Sequence, residues 1–190
     1  MLSSQNEQYL IKKAQEGDEK SFESLISGCH KKAYNIAYRY LKNEEDALDA
    51  LQESYIKIFR HLDKFKGDSK FETWVYRIIV NTCNDILRKN SKRKTTDSIY
   101  KISDENETIL EIPDLTQAPE NIYDRKEETN ILLQCLDQLN QNQKEIIILR
   151  DIQGFTYEEI SEILQCTIGT VKSRLSRSRL KLREIYLEQK

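Results

Sequence analysis

The sequence predicts an all-α protein: two small helical domains joined by an extended acidic linker. Three observations carry this. Apolar residues recur at three-and-four spacing along most of the 190 residues, and no alternating strand pattern of useful length competes. Glycine and proline are scarce, at five and two, while 33% of the chain is charged. The periodicity fails once, in a polar and acidic stretch holding both prolines, Pro113 and Pro119. The length suits two compact modules, since a domain needs about 50–200 residues to bury a core. The expected division is 1–94, a linker over 95–120, and 121–190.

In the first module, four helical segments fit between Glu7 and Lys94, with breaks near Gly17-Asp18, near Lys42-Asn43 and at Phe65-Lys66-Gly67-Asp68. The third segment places Leu48, Leu51, Tyr55, Ile58 and Leu62 on one stripe and Asp46, Asp49 and Glu53 on another. Carboxylates in that spacing are either a solvated face or a dock for a basic helical partner. The turn Phe65-Lys66-Gly67-Asp68-Ser69-Lys70-Phe71 follows, with Ser69 and Glu72 at capping-box spacing, and a helix is expected from Glu72 to Lys89. Its inward residues are Val75, Ile78, Ile79, Ile86 and Leu87, and Arg77, Asn81, Asn84 and Arg88 form a polar ridge. Arginines hold phosphates and an asparagine reads a base edge. Trp74 falls on apolar spacing and reads as core, the alternative being a stacking platform for an unpaired base.

Periodicity returns around Tyr123, with interruptions at Asn140, Gln153-Gly154 and Cys166-Thr167. Thr156 and Glu159 have capping-box spacing, so a helix starts at Tyr157 with Ile160, Ile163 and Leu164 inward. After a short turn, Thr167 is the next N-cap candidate. The helix beyond it is expected to bury Ile168, Val171, Leu175 and Leu182 and to present Thr170, Lys172, Ser173, Ser176 and Arg177. A capped helix, a tight turn and a basic second helix form a helix-turn-helix over Thr156 to Leu182, whose outer face suits a DNA major groove.

The net charge of −2 conceals segregation. Residues 61–94 carry nine Lys and Arg against four Asp and Glu, and residues 166–190 carry seven against two. Residues 95–130 reverse this, with three against ten. Two basic patches around an acidic stretch fit two contacts with a polyanion. Cys29, Cys83, Cys135 and Cys166 are scattered without metal-ligand spacing, so no metal and no cofactor is expected. The adjacent Cys29-His30 reads as a helix position rather than a ligand pair. No signal region or apolar span is visible, which places the protein in the cytoplasm. No nucleophile–base pair, carboxylate cluster or phosphate-binding loop assembles, so no catalytic residues are expected.

Gly154-x-Thr-Tyr-x-Glu-Ile-x-x-x-Leu164 followed by Gly169-Thr-Val-Lys-Ser-Arg-Leu-x-Arg-x-Arg179 resembles region 4 of the sigma-70 family of transcription initiation factors. Thr167 and Asn140 stand where that family usually has proline, and both suit a helix entry. Asp46-x-x-Asp49-x-x-Gln52-Glu53 resembles region 2.2, and Phe71-x-Thr-Trp-Val-Tyr-Arg-Ile-x-x-Asn81 with Asp85-x-Leu-Arg-Lys89 resembles regions 2.3 and 2.4. The resemblance implies that Asp46, Asp49, Gln52 and Glu53 contact core RNA polymerase. It assigns the Phe65–Phe71 loop to a flipped base of the promoter −10 element, and Arg77, Asn81 and Arg88 to the melting strand. It sets Thr170, Lys172, Ser173, Ser176 and Arg177 on the −35 element, with Arg150 on the DNA backbone. Two modules covering nearly all of the helical sequence resemble the small extracytoplasmic-function group, in which an anti-sigma factor usually holds the protein inactive and supplies any membrane contact. In that frame the acidic Ser103–Glu120 segment mimics nucleic acid within a basic channel. A free-standing helix-turn-helix regulator is the alternative, and it leaves Asp46–Glu53 and the loop before Trp74 unexplained.

Overall fold

The computed structural model of the chain describes residues 4–96 and 131–189. The expected linker beyond Thr96, including Ser103–Glu120, and the return of periodicity at Tyr123 lie outside the described residues, as does the extreme N-terminus.

The first module is a bundle of α1 (Ser4–Gln15), α2 (Glu19–Leu41), α3 (Glu44–His61) and α4 (Phe71–Thr96). Each break has a local cause. Asp18 caps α2 by accepting from the Ser21 amide at 2.9 Å, and Asn43 caps α3 by accepting from the Asp46 amide at 2.9 Å. Lys42 turns the chain between them at φ 59°. Ala33, Ala37, Ala47 and Ala50 are fully buried, and their small side chains let the helices approach closely. Ile36, Ile58, Leu62, Val75 and Ile79 fill the remaining space. From α1, the Gln15 amide donates to the Leu62 and Phe65 carbonyls at 2.9 and 3.1 Å, which fixes the start of the loop before α4.

Three sequence expectations for the first module need correction. Leu48 is 48% exposed because the inward face of α3 runs through Ala47, Ala50, Leu51, Ser54 and Ile58, and Leu48 lies one position round the helix from Ala47. The helix α4 begins at Phe71 rather than Glu72, so the cap position falls on Lys70 and Ser69–Glu72 is out of phase for a capping box. It also runs to Thr96, into the segment expected to be linker.

In the second module, α5 is helical over the described residues 131–137 and is followed by α6 (Gln141–Ile147), α7 (Tyr157–Ile163) and α8 (Ile168–Glu188). Asn140 and Gln143 form a reciprocal capping box at the start of α6. After α6 a wide π turn covers Ile148–Ile152, closed by the Gln153 amide on the Ile148 carbonyl at 2.9 Å. Gly154 then adopts φ 73°, a conformation that L side chains disfavour. The expected box at Thr156 and Glu159 is present, as is the Thr167 cap. Ile146, Leu149, Ile160, Ile163, Val171 and Leu175 form the core. Ile168, expected inside, is 38% exposed because as the first residue of α8 it precedes the turn that packs on α6 and α7. The described residues contain no strand.

The modules pack against each other, chiefly through α4 and α7, so their buried residues form one continuous cluster.

Candidate nucleic-acid interface

Two short helix starts present the second module's outer face. Thr167 Oγ1 accepts the Thr170 amide at 3.2 Å and lies 2.9 Å from Thr170 Oγ1, which holds the first turn of α8 and leaves Thr170 half-buried. Lys172, Ser173, Ser176 and Arg177 are exposed in the next two turns. Arg177 Nε donates to the Ser173 carbonyl at 3.2 Å, so its guanidinium lies back along the helix until a better acceptor arrives. The N-terminal end of α8 adds the partial positive charge of its free amides.

Arg150 is half-buried behind this face: its guanidinium donates to the Phe155 carbonyl at 2.6 Å and sits 4.7 Å over the Tyr157 ring. It thereby holds the entry to α7. An open depression between α7 and α8 is lined by Tyr157, Lys172, Ser176, Arg179 and Arg183, where Arg179 Nε pairs with Asp151 at 3.0 Å. Sequence reasoning placed Tyr157 at the start of a helix and Arg179 in the region 4 resemblance but gave neither a contact role. The available signal was an aromatic at the first position of α7, one residue past its cap.

In the first module, the loop before α4 closes over an aromatic cluster. Trp74 is 8% exposed, with the Phe65 and Phe71 rings 5.3 and 6.0 Å from it and 5.5 Å from each other. Trp74 is therefore core, and it braces both ends of the loop. Between those anchors Lys66, Gly67, Asp68 and Lys70 are exposed and Ser69 is half-buried, with Gly67 at φ 82°. Along α4, Arg77 is half-buried, while Asn81 and Arg88 are exposed. Arg88 pairs with Asp85 at 3.1 Å.

The α3 face collects Asp49, Gln52 and Glu53, all exposed, and the half-buried Asp46. Lys57 pairs with Glu53 at 2.8 Å and, with burial opposing it only partly, holds that carboxyl below its ordinary range. Beside these acids lie Leu48, Ile56 and Phe59, all exposed, with Phe22 edge-on to Phe59 at 5.1 Å. Sequence reasoning had assigned Leu48 to the core and gave Ile56 and Phe59 no role.

The description "Sigma-70 region 2" matches residues 25–93, and "Sigma-70, region 4" matches residues 129–182. The ECF RNA polymerase sigma-E factor of Haemophilus influenzae is 35% identical over 179 residues, covering 94% of each chain. The chain belongs to the sigma-70 family, in its extracytoplasmic-function branch. The sigma-E factor of Escherichia coli K12 is 36% identical over 174 residues, which is 91% of this chain and 90% of that one. Among solved structures, the sigma factor RpoE of Bartonella quintana, in complex with the anti-sigma factor NepR, superposes with a TM-score of 0.67 at 25% identity. That match covers 87% of this chain and 96% of RpoE. CnrH, in complex with the cytosolic domain of CnrY, shares the fold with a TM-score of 0.67 at 22% identity, over 97% of this chain and 99% of CnrH.

Within this sigma factor, Asn84 has a different environment from the rest of its ridge. Its amide donates to Glu145 of α6 at 2.8 Å and accepts from Gln141 at 3.3 Å. Burial raises the Glu145 carboxyl above its ordinary range, partly offset by Asn84. Lys70, at the end of the loop, pairs with Glu159 of α7 at 2.9 Å. Cys29, Cys83 and Cys135 are buried thiols, and His30 Nδ1 faces the Tyr55 hydroxyl at 2.9 Å. The described residues hold no cluster of His, Cys, Asp and Glu fit for a metal, and no helix among them is long and apolar enough to cross a membrane.

Proposed function

We propose that this sigma factor binds core RNA polymerase in the cytoplasm and directs promoter-specific initiation. It reads the −35 element as duplex through α8 and melts and captures the −10 element with the Phe65–Phe71 loop and α4. The observation that carries this reading is the doubly capped helix-turn-helix that projects Lys172, Ser173, Ser176 and Arg177 from the first turns of α8. Such groups reach both base edges and phosphates in a major groove. Extruding a base costs a few kcal/mol, which contacts to the loop and to polymerase supply without ATP hydrolysis. Lys66, Ser69 and Lys70 line the opening, while Arg77, Asn81 and Arg88 follow the displaced strand.

The polymerase face combines Asp46, Asp49, Gln52 and Glu53 with the exposed Leu48, Ile56 and Phe59. An apolar strip flanked by carboxylates fits an amphipathic helical partner with basic edges. Exposed helix pairs contribute only about 0.3–0.5 kcal/mol, so exchanging the Glu53–Lys57 pair for a partner's cation costs little. An anti-sigma factor holds the free protein inactive, a regulation supported by the Bartonella relative's complex with NepR.

The test is co-purification with core polymerase and run-off transcription. Asp49→Arg with Glu53→Arg should abolish both while helix content and the melting transition are unchanged. Retained association would remove the docking assignment. DNA binding without any promoter-specific run-off by the wild-type holoenzyme would favour the free-standing regulator instead.

A further inference from the structure

Two consecutive residues of the π turn reach different helices. Arg150 holds the start of α7, and Asp151 reaches the middle of α8. There Arg179 Nε donates to one Asp151 oxygen at 3.0 Å, and a terminal guanidinium nitrogen pairs with the other. Arg179 shares a stripe of α8 with Lys172, Ser176 and Arg183, which lines the depression beside Tyr157. The stripe flanks the exposed Ser173 and Arg177. Lys172 lies 5.9 Å from the Tyr157 centroid. Of the cations Lys172, Arg179 and Arg183, only Arg179 has a carboxylate partner among the described residues. Cations and hydroxyls around an open depression are the donor set that a phosphate needs. Asp151 takes the place of that phosphate on Arg179.

We propose that Asp151 is a specificity-determining residue: it withholds Arg179 from DNA until base contacts by α8 set a backbone phosphate in the depression. A carboxylate and a phosphate offer the same fork of oxygens to a guanidinium, so the two compete for Arg179 on similar terms. The pair is exposed, so exchanging it costs little. Asp151, however, is fixed by the turn and always present, whereas a phosphate arrives only with docked DNA. In a complex held by base edges, the phosphate stays in the depression and takes Arg179. In loose binding at random sequence the phosphate row slides past, and Asp151 keeps its partner. Phosphate attraction is independent of sequence, so withholding one cation lowers binding to random DNA more than binding to the cognate element. The proposal rests on reading α8 as the duplex-reading helix, and the ligand it assigns is a DNA phosphodiester rather than a free anion.

The test uses the full chain, a duplex selected by the wild-type protein from a random-sequence pool, and the pool itself. Asp151→Asn should bind the pool about fivefold more tightly, and the selected duplex by less than about twofold. On the pool, the slope of log affinity against log salt should steepen by about 0.9, the counterion release of one more phosphate contact. Asp151→Ser should match it, with helix content and melting transition of both variants as in wild type. Asp151→Asn combined with Arg179→Gln should return the pool affinity to wild type and weaken binding of the selected duplex. Glu158→Gln, at an exposed acid of α7 outside the pair, removes the same charge and should raise both affinities alike. An equal gain on both DNAs in Asp151→Asn would overturn the proposal. Weaker binding of the selected duplex by Asp151→Asn would make the pair a brace of the motif and overturn it as well. Inorganic phosphate should compete no better than chloride at equal ionic strength; saturable competition would assign the depression to a free anion instead. Failure of the wild type to select any duplex would remove the reading of α8 on which the proposal rests.

Discussion

Replacing Thr156 by alanine tests how the helix-turn-helix is held. Helix α7 is seven residues long, too short to be stable by its own propensity, so its fixed start carries a large share of its stability. Thr156 Oγ1 accepts the Glu159 amide at 3.1 Å, and Glu159 accepts the Thr156 amide at 3.0 Å. Thr156→Ala removes the first bond and leaves the second. Loss of an N-cap costs about 0.5–2 kcal/mol, and the exposure of Thr156 places this case near 1 kcal/mol. With a urea dependence of about 1–3 kcal/mol/M, the midpoint should fall by about half a molar. The assay is urea unfolding of the full chain followed by helical circular dichroism. Thr156→Ser should match wild type, and Glu159→Gln should keep the cap while losing only the exposed Lys70 partner. A wild-type midpoint for Thr156→Ala, or an equal loss in Thr156→Ser, would refute the argument.

Two further outcomes are expected. Arg177→Ala should weaken binding at the upstream promoter element by about 1–3 kcal/mol and relax base preference there, as read by competition among substituted duplexes; uniform loss across all sequences would make Arg177 a phosphate contact. Folded stability should depend on pH through Glu145, which is faced by Asn84 of α4, Tyr40 of α2 and Arg174 of α8. Burial raises its carboxyl in the folded protein, so the folded form binds the proton more tightly than the unfolded one. Its contribution is therefore full below the ordinary carboxylate value, is lost as pH rises through the raised one, and changes no further above it. The urea midpoint should fall over that window in wild type and fall less in Glu145→Gln. A slope unchanged by Glu145→Gln would assign the titration to another group.

The breaks of the first bundle, the Thr156–Glu159 box and the Thr167 cap span three or four residues each and were read directly from the chain, whereas the equally local caps at Asp18 and Asn43 and the Asn140–Gln143 box were read only as breaks or a helix entry. The outward set on α8 was also legible, because a helix of known start fixes which positions share a face. Where reading failed, the cause was a choice of face that neighbours make. On α3, the buried positions beside α2 include two alanines, and counting large apolar residues alone drew the stripe through Leu48. The start of α4 moved by one residue because the Phe65–Phe71 loop is set by packing on Trp74, not by a side-chain cap.

By itself, then, the sequence determined two helical modules, their caps and the chemistry on each outer face, since these depend on residues within a few positions of one another. Only the tertiary structure decided that Tyr76 meets Phe155, that Asn84 meets Glu145 and that Lys32 crowns the contact. Those partners are 61 or more positions apart, their chemistry is ordinary, and nothing local distinguishes them until the modules are packed together.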